Sequence, residues 1–421
     1  MMGNKKKVKK DIEAQAREVL YYEPDWSQFS VHEPEWKKYP QSLWGLAGVN
    51  LQQVTHCQFK PARRRRIGRG IEKAGFCRLE NGDLLVSPFY VDGRRRTPDF
   101  ACRIKIYRSC DDRENWIEVP TKGEALLGVE PSLQALRDGG VLLLTAHRGE
   151  FLIYRSDDGG VNWTMTAFGL VYDDEKVPFA RGYHMVRNVL EQPDGGLIMF
   201  MSLDAPRTKP KWTRTWLYRS SDGGRTWKEY KEAKVWEHNM AMFVEASFLQ
   251  HSDGRLLALS RSCRKPPIDG PMPAGLTSSY ERGNEADGFM MLTESNDNGV
   301  TWTTPRAITN YGEVHGHLLE LEDGRLLHTY ASYHIPYGTL ATLSEDGGMT
   351  WSLDSPIHLA PGLSCYTGWP TSVQLPNGDI ITAYYTTAYQ EGEGTCLDHP
   401  GKNDGVTEVV TWQLPPKSLS N

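Results

Sequence analysis

The stretch RSSDGGRTWK, residues 219–228, decides the fold because close copies of it recur along the chain. Its pattern is SxDxGxxW; three further intact copies begin at Ser156, Ser295 and Ser344, and a decayed copy begins at Ser109. The Ser and Asp oxygens can bond nearby backbone amides, Gly supplies positive φ, and Trp anchors the turn on its sheet. The pattern therefore predicts a hairpin turn that is repeated in successive sheets.

A second repeat, a polar turn followed by an apolar strand, alternates with the first. Its six copies are ENGDLLVSPF (80–89), RDGGVLLLTA (137–146), PDGGLIMFMS (193–202), SDGRLLALSR (252–261), EDGRLLHTYA (322–331) and PNGDIITAYY (376–385). Each unit has room for about four short strands, which is typical of propeller blades. The spacing predicts an all-β, six-bladed β-propeller over residues 49–421. We expect a strand from around Val49 to Phe59 to complete the sixth blade, and residues 1–48 to form an N-terminal arm with a short helix.

The composition of the 421-residue chain narrows the classes of function. A net charge of −5 argues against a general nucleic-acid binder, whereas 13 Trp and 19 Tyr suit sheet packing and stacking on sugar rings. The seven cysteines lack metal-ligand spacing, so neither a metal nor another cofactor is predicted. No window approaches a membrane span, and the basic N-terminus is not followed by an apolar segment. We therefore expect a cytoplasmic protein without a membrane partner, and the oligomeric state is left open.

Residues shortly before each polar turn are predicted to face the propeller axis. The residue nine positions before the turn glycine is Glu130, Glu245, His315 or Trp369 in the second, fourth, fifth and sixth units. Arg187 stands one step from that position in the third unit. Buried charges on apolar strands need partners. The pattern therefore predicts a polar site on the axis.

The alternation of the two motifs resembles the sialidase (neuraminidase) superfamily of six-bladed β-propellers, in which SxDxGxxW is called the Asp box. The resemblance covers about residues 50–415 and implies that the Asp boxes lie on the periphery, away from the active site. It also implies three roles: Glu245 activates a tyrosine nucleophile, Arg261 is one of three arginines that clamp the substrate carboxylate, and Asp99 is the general acid.

The chain departs from the sialidase pattern at the other expected arginines and at the tyrosine. IEK replaces RIP before the first turn, so Glu72 stands near an expected arginine, and Tyr337 stands where another is expected. Trp369 aligns with the expected tyrosine, and Tyr366 lies three residues earlier. A sialic acid carboxylate is normally held by several charge-assisted bonds from guanidinium groups. These departures argue against ordinary sialidase activity.

Cleavage of a glycosidic bond needs one group that protonates the leaving oxygen and a second that attacks or stabilises the anomeric centre. We predict an exo-glycoside hydrolase acting on a terminal sugar other than ordinary sialic acid, with Asp99 as the acid, Glu245 as the nucleophile or its activator, and Glu130 and Glu72 in reserve. Of the runs Arg63–Arg66 and Arg94–Arg96, one or two arginines are expected to point into the site and the others to be solvated in loops. The further catalytic candidates are Tyr366 and His184, and the substrate-binding candidates are Glu72, Arg94, Arg148, Tyr183, Arg187, Arg261, His315, His317, Tyr337 and Trp369.

Two alternatives remain open, and carbohydrate is the predicted partner in both. In the first, a group containing Tyr183, His184 and His315 abstracts a proton next to a uronate carboxylate, as in a polysaccharide lyase. His315 and His317 alternate along one predicted strand and would share a face. In the second, the propeller binds carbohydrate without catalysis.

Overall fold

The structure is a computed structural model that describes fifteen segments of the chain. They are residues 58–59, 62–69, 71–92, 101–110, 115–123, 125–147, 150–167, 184–204, 213–235, 242–263, 289–310, 312–332, 337–362, 367–387 and 405–417. Every regular element within them is a β-strand, and none of them contains a helix long and apolar enough to cross a membrane. The predicted arm over residues 1–48 lies outside the described residues.

The strands are numbered in chain order. The first fourteen are β1 (Gln58–Phe59), β2 (Ala62–Arg69), β3 (Ile71–Arg78), β4 (Leu84–Asp92), β5 (Ala101–Ile104), β6 (Ile106–Ser109), β7 (Ile117–Val119), β8 (Lys122–Gly123), β9 (Val129–Ala135), β10 (Val141–His147), β11 (Glu150–Ser156), β12 (Asn162–Ala167), β13 (His184–Met185) and β14 (Val189–Glu191). The others are β15 (Leu197–Asp204), β16 (Thr213–Ser220), β17 (Lys228–Glu232), β18 (Met242–Gln250), β19 (Leu256–Cys263), β20 (Met290–Ser295), β21 (Arg306–Ala307), β22 (Glu313–Glu320), β23 (Leu326–Ser332), β24 (Gly338–Ser344), β25 (Ile357–Pro361), β26 (Gly368–Gln374), β27 (Ile380–Thr387) and β28 (Gly405–Trp412).

These strands form six sheets that follow one another along the chain, which confirms the six-bladed propeller. The first strands of the blades are β3, β9, β13 with β14, β18, β22 and β26. They contact one another from blade to blade and so surround the axis. Each polar turn joins the first and second strands of its blade, and each Asp box joins the third and fourth. The two repeats read in the sequence are therefore the two hairpins of each of the first five blades, and the sixth blade has the polar turn alone.

The sixth blade is closed by β2, which pairs with β28 from Ala62↔Trp412 to Arg69↔Val406. The expectation of a closing strand between Val49 and Phe59 was wrong, because Gln58–Phe59 instead adds to the fifth blade, parallel to β25. The expectation of loop arginines at 63–66 was also wrong, since they lie on β2. Part of their charge is paired across the closure, where the guanidiniums of Arg64 and Arg66 lie 3.8 and 3.3 Å from the Glu408 carboxylate.

The Asp box is held by the bonds that its residue types predict. Ser156 Oγ donates to Asp158 Oδ1 (2.8 Å) and accepts from the Gly160 amide (2.9 Å). Asp158 Oδ1 accepts from the Asn162 amide (2.8 Å), and the Trp163 indole donates to the Gly160 carbonyl (2.8 Å). The Ser–Asp and Ser–Gly bonds recur in the other three intact boxes. These polar contacts join residues of the same turn, so they stabilise the hairpin and have a structural role.

The apolar core is divided into six wedges between neighbouring blades. Leu85 of the first blade packs with Leu143 of the second, Leu142 of the second with Met199 of the third, and the pattern continues around the ring. Since each sheet is covered on both faces, its strands read as nearly continuous apolar runs. This arrangement leaves the polar residues of the first strands to the axis.

Candidate active site on the propeller axis

Four of the predicted axial residues share an unusual backbone conformation. Glu130, Glu245, His315 and Trp369 have φ of 52°, 60°, 58° and 47°. In all four blades the pairing between the first and second strands shifts register at this point, which marks a β-bulge. A left-handed non-glycine residue costs about 1–3 kcal/mol, and bulges re-aim side chains near functional sites. The position nine residues before the turn glycine is therefore a repeated, strained site in the blade.

Glu245 is the centre of the contacts between these residues. Its side chain is buried, with the residue 4% exposed. Arg261 Nη2, from the second strand of the same blade, donates to Oε1 at 2.9 Å, and Oε2 lies 2.8 Å from His315 Nδ1 of the next blade. Both carboxylate oxygens are thus held in one orientation by groups on two blades. A buried charge arranged in this way avoids the cost of an unpaired ion.

Aromatic rings support His315 from the sixth blade. The centroid of its ring lies 4.0 Å from that of Trp369, and Trp369 meets Tyr385 edge-on at 6.1 Å. Trp369 is fully buried, so its indole fixes the imidazole. Tyr385 was not selected from the sequence, where nothing distinguishes it from the other aromatic residues of its strand.

Arg187 connects the carboxylates of two blades electrostatically. Burial lowers the pKa of its guanidinium, the charges of Glu245 and Glu130 act in the opposite direction, and that of Arg261 adds to the lowering. An arginine stays protonated despite such a shift. Nη1 of Arg187 is buried and has no hydrogen-bond partner among the described residues. This cationic donor is therefore available to an acceptor on a bound molecule.

His317 and His328 are kept neutral beside this cluster. Burial, together with the charge of Arg187, lowers the pKa of His317 to about 3, and burial lowers that of His328 to about 3. His317 Nδ1 accepts a hydrogen bond from the Ser372 amide at 3.4 Å. The bulge at His315 interrupts the strict alternation from which a shared face was expected: His315 bonds the fourth blade, whereas His317 bonds the sixth.

The structure brings together seven of the sequence-predicted site residues, which are Glu130, Arg187, Glu245, Arg261, His315, His317 and Trp369. Tyr337 packs instead against the apolar wedge between the fourth and fifth blades. Glu72 lies on β3 and His184 lies on β13. The predicted residues outside the described segments are Arg94, Asp99, Arg148, Tyr183 and Tyr366. Within the described segments, no group of three or more His, Cys, Asp or Glu side chains could hold a metal ion.

Glu313 was missed in the sequence although it lies two residues before His315 on the same strand. It is buried, and its Oε2 accepts a hydrogen bond from the Asn310 amide at 2.9 Å. Burial raises the pKa of this carboxyl from 4.5 to about 7, and the Asn310 bond acts against the rise. The only sequence signal was an acidic residue at the start of the strand that carries His315 and His317.

Replacing Glu313 with glutamine is expected to change the pH dependence of stability. Because the pKa is raised on folding, the folded chain binds more protons than the unfolded chain between pH 4.5 and about 7, and stability falls as pH rises through this window. The loss is at most roughly 3 kcal/mol. Urea unfolding should find Glu313→Gln equal to the wild type at pH 4.5 and more stable at pH 8. The exposed Glu80→Gln should have the same stability as the wild type at both pH values. If Glu313→Gln is no more stable than the wild type at pH 8, the raised pKa of Glu313 is contradicted.

The comparisons with known proteins agree with the fold. Residues 264–397, about a third of the chain, match the BNR repeat-like domain family. This match and the six blades confirm the expected Asp-box propeller and are consistent with a sialidase-like superfamily. No match is found among curated protein sequences.

Three solved structures illustrate the similarity. A protein of unknown function from Dyadobacter fermentans has 20% identity and a TM-score of 0.56, with 83% of this chain and 99% of that chain covered. An alpha-L-arabinanase from Penicillium chrysogenum, complexed with arabinobiose, has 14% identity and a TM-score of 0.55 over 82% and 97% of the two chains. An alpha-L-arabinofuranosidase from Fusarium graminearum, with an iminosugar inhibitor, has 13% identity and a TM-score of 0.57 over 83% and 96%. At these identities the likeness establishes the fold alone.

Proposed function

We propose that the chain is an exo-glycoside hydrolase that removes a terminal sugar other than ordinary sialic acid from an oligo- or polysaccharide. One observation carries the proposal: the buried Glu245 carboxylate is held by Arg261 at 2.9 Å and His315 at 2.8 Å, and a second carboxylate, Glu130, occupies the same left-handed position two blades away. Paired carboxylates around one concave site are the usual equipment for glycosidic bond cleavage.

Glu245 is the proposed nucleophile or the activator of a neighbouring hydroxyl nucleophile. Arg261 and His315 hold its two oxygens, so the carboxylate is oriented before a sugar arrives. A fixed group loses little entropy on the way to the transition state. In the first step, a general acid protonates the glycosidic oxygen as its bond to the anomeric carbon breaks and the nucleophile forms a bond to that carbon. In the second, the same acid residue, now ionised, takes a proton from a water molecule. The water oxygen attacks the anomeric carbon and its bond to the nucleophile breaks, which releases the sugar.

The general acid is Asp99 or Glu130. Asp99 is assigned by the sialidase resemblance and lies outside the described segments. Glu130 is half-buried and occupies the same left-handed position in its blade as Glu245 does in the fourth. A partly accessible carboxyl suits a group that must reach the leaving oxygen.

The arginines support a substrate other than sialic acid. Nη2 of Arg261 donates a hydrogen bond to Glu245. Arg187 is the other guanidinium among the described residues of the axial cluster. Among the described residues, a carboxylate clamp built from three guanidiniums is therefore not matched. One buried donor of Arg187 is better suited to a sugar hydroxyl or to a single acidic group.

The test is product analysis of the full-length protein on a panel of glycans. The first substrates are aryl alpha-L-arabinofuranosides and arabinobiose, because two similar structures carry arabinose-directed activities in their names. A uronate-containing polysaccharide and a sialoside complete the panel. Release of a reducing sugar without a near-ultraviolet product supports hydrolysis.

The other outcomes contradict the proposal in different ways. An unsaturated product that absorbs in the near ultraviolet would identify a lyase. Saturable binding with no turnover on any substrate would identify a carbohydrate-binding propeller. Release of sialic acid at a rate comparable to that of the other sugars would overturn the exclusion of sialosides.

A further inference from the structure

Four arginines connect neighbouring blades at the Asp-box end of the propeller. Each donates to a backbone carbonyl of the next blade, through the pairs Arg108–Gly159 (3.5 Å), Arg155–Gly223 (2.5 Å), Arg255–Gly347 (3.1 Å) and Arg325–Pro415 (2.9 Å). The three glycines occupy the same place in their Asp boxes, between the aspartate and the glycine of the SxDxGxxW pattern. We call this contact the interblade latch.

Each latch arginine is also anchored to the polar turn of its own blade. The ion pairs are Arg108–Asp83 (2.7 Å), Arg155–Asp138 (2.8 Å), Arg255–Asp253 (2.7 Å) and Arg325–Asp323 (2.7 Å). One guanidinium therefore neutralises a turn carboxylate and closes the gap to the next blade. This double use explains why an arginine lies at the end of the turn or just before the Asp box in these blades.

The junction between the third and fourth blades departs from this pattern. Arg219 precedes the third Asp box, as Arg155 precedes the second, and its expected partners are Asp194 and the carbonyl of Asn298. Among the described residues neither contact is formed, and Asp194 Oδ1 instead accepts from the Gly196 amide at 2.9 Å. An open cavity of about 650 Å³, lined by all three of these residues, occupies the place of the latch. We call it the blade 3–4 cavity.

The cavity holds more positive than negative charge. Arg219 and Lys228 are direct partners across β16 and β17, and like charges in that position repel unless something neutralises them. Within the described segments neither forms an ion pair, and Asp194 is the single carboxylate of the lining. Both side chains are exposed, and a bound anion that contacts the two of them would lessen this repulsion.

The remaining walls suit a sugar ring. The exposed Pro193 provides an apolar surface, and Ser221 and Asn298 provide neutral polar groups. Nε2 of Gln192, also in the lining, is buried without a hydrogen-bond partner among the described residues. Apolar contact combined with a few polar groups is the usual composition of a small-molecule site.

We propose that the blade 3–4 cavity binds an acidic sugar unit, with Arg219 and Lys228 holding its carboxylate or sulfate group. Arg187 and Gln192 stand five residues apart on either side of β14, about 16 Å of extended chain, so the cavity is separate from the axial cluster. The site does not depend on the proposed catalysis.

The test is calorimetric titration of the full-length protein with a uronate-terminated disaccharide, its neutral counterpart reduced at the carboxyl, and inorganic sulfate. Saturable binding of the uronate, weakened at least tenfold in Arg219→Gln and in Lys228→Gln, is expected. Ser221→Trp should block the cavity and weaken binding without removing charge. Lys231→Gln, on the same strand and exposed outside the cavity, should bind as the wild type does.

Further outcomes keep the test decisive. Added salt should weaken uronate binding, because it screens the attraction between the carboxylate and the two basic side chains. The proposal fails if the uronate shows no saturable binding, if its affinity is equal in Arg219→Gln, Lys228→Gln and Lys231→Gln, or if sulfate binds while both sugars do not.

Discussion

Glu245→Gln is expected to lower kcat by about 10³-fold on any glycoside that the wild-type protein hydrolyses. Glutamine keeps the shape of the side chain and one oxygen, so contacts with Arg261 or His315 can persist, but it can neither attack the anomeric carbon nor accept a proton. The effect should fall on kcat more than on KM, because the interaction lost is made in the transition state. Steady-state kinetics on the best aryl glycoside measures it.

Stability must be separated from catalysis in this variant. Removing one partner of a buried ion pair costs about 3–5 kcal/mol, because Arg261 is left without its counter-charge. Glu294 offers a matched control in the same blade: it is 7% exposed, lies 2.5 Å from Arg306 and also pairs with Arg255. Glu294→Gln should lose comparable stability and keep its kcat. Equal losses of kcat in the two variants would show that the Glu245 effect is structural.

The general acid is identified by its dependence on the leaving group. Replacing the true acid, either by Glu130→Gln or by Asp99→Asn, should reduce hydrolysis of a sugar–sugar linkage by about 10²–10⁴-fold. On a nitrophenyl glycoside, the kcat/KM of the same variant should remain close to that of the wild type, because kcat/KM reports the first step and a leaving group of low pKa departs without protonation. The ratio of the kcat/KM values on the two substrates is the measurement.

The variant at the other residue serves as the control. It should affect both substrates by the same factor, as expected for a residue that only contacts the sugar. If neither variant shows a larger loss on the poor leaving group, a carboxylic acid at these two positions does not protonate the glycosidic oxygen, and the paired-carboxylate mechanism fails.

The fold could be predicted because its signals are local. The Ser–Asp–Gly–Trp hydrogen bonds of each Asp box are completed within eight residues, and the Trp163 indole donates to a carbonyl of its own turn. The closing strand could not be found in this way, because it depends on a partner far along the chain. ARRRRIGR reads as a charged loop until Glu408 is placed beside Arg64 and Arg66.

The candidate site was predictable in position and less so in geometry. Counting nine residues back from the turn glycine located Glu130, Glu245, His315 and Trp369, since each blade repeats the same hairpin. Their left-handed backbone depends on a register shift between paired strands, which one strand's sequence does not reveal. Arg261 was expected on the substrate, whereas the structure pairs it with Glu245.

The repeated left-handed position also separates two problems that a new activity must solve. The bulge is set by strand register, and it is occupied by two carboxylates, an imidazole and an indole without a change in its φ beyond 47–60°. The backbone conformation that presents a residue to the axis is thus set by the blade and does not depend on which side chain is present. Four of the blades therefore carry one exchangeable position each, and a propeller of this kind can acquire a different chemistry through single substitutions while its architecture stays intact.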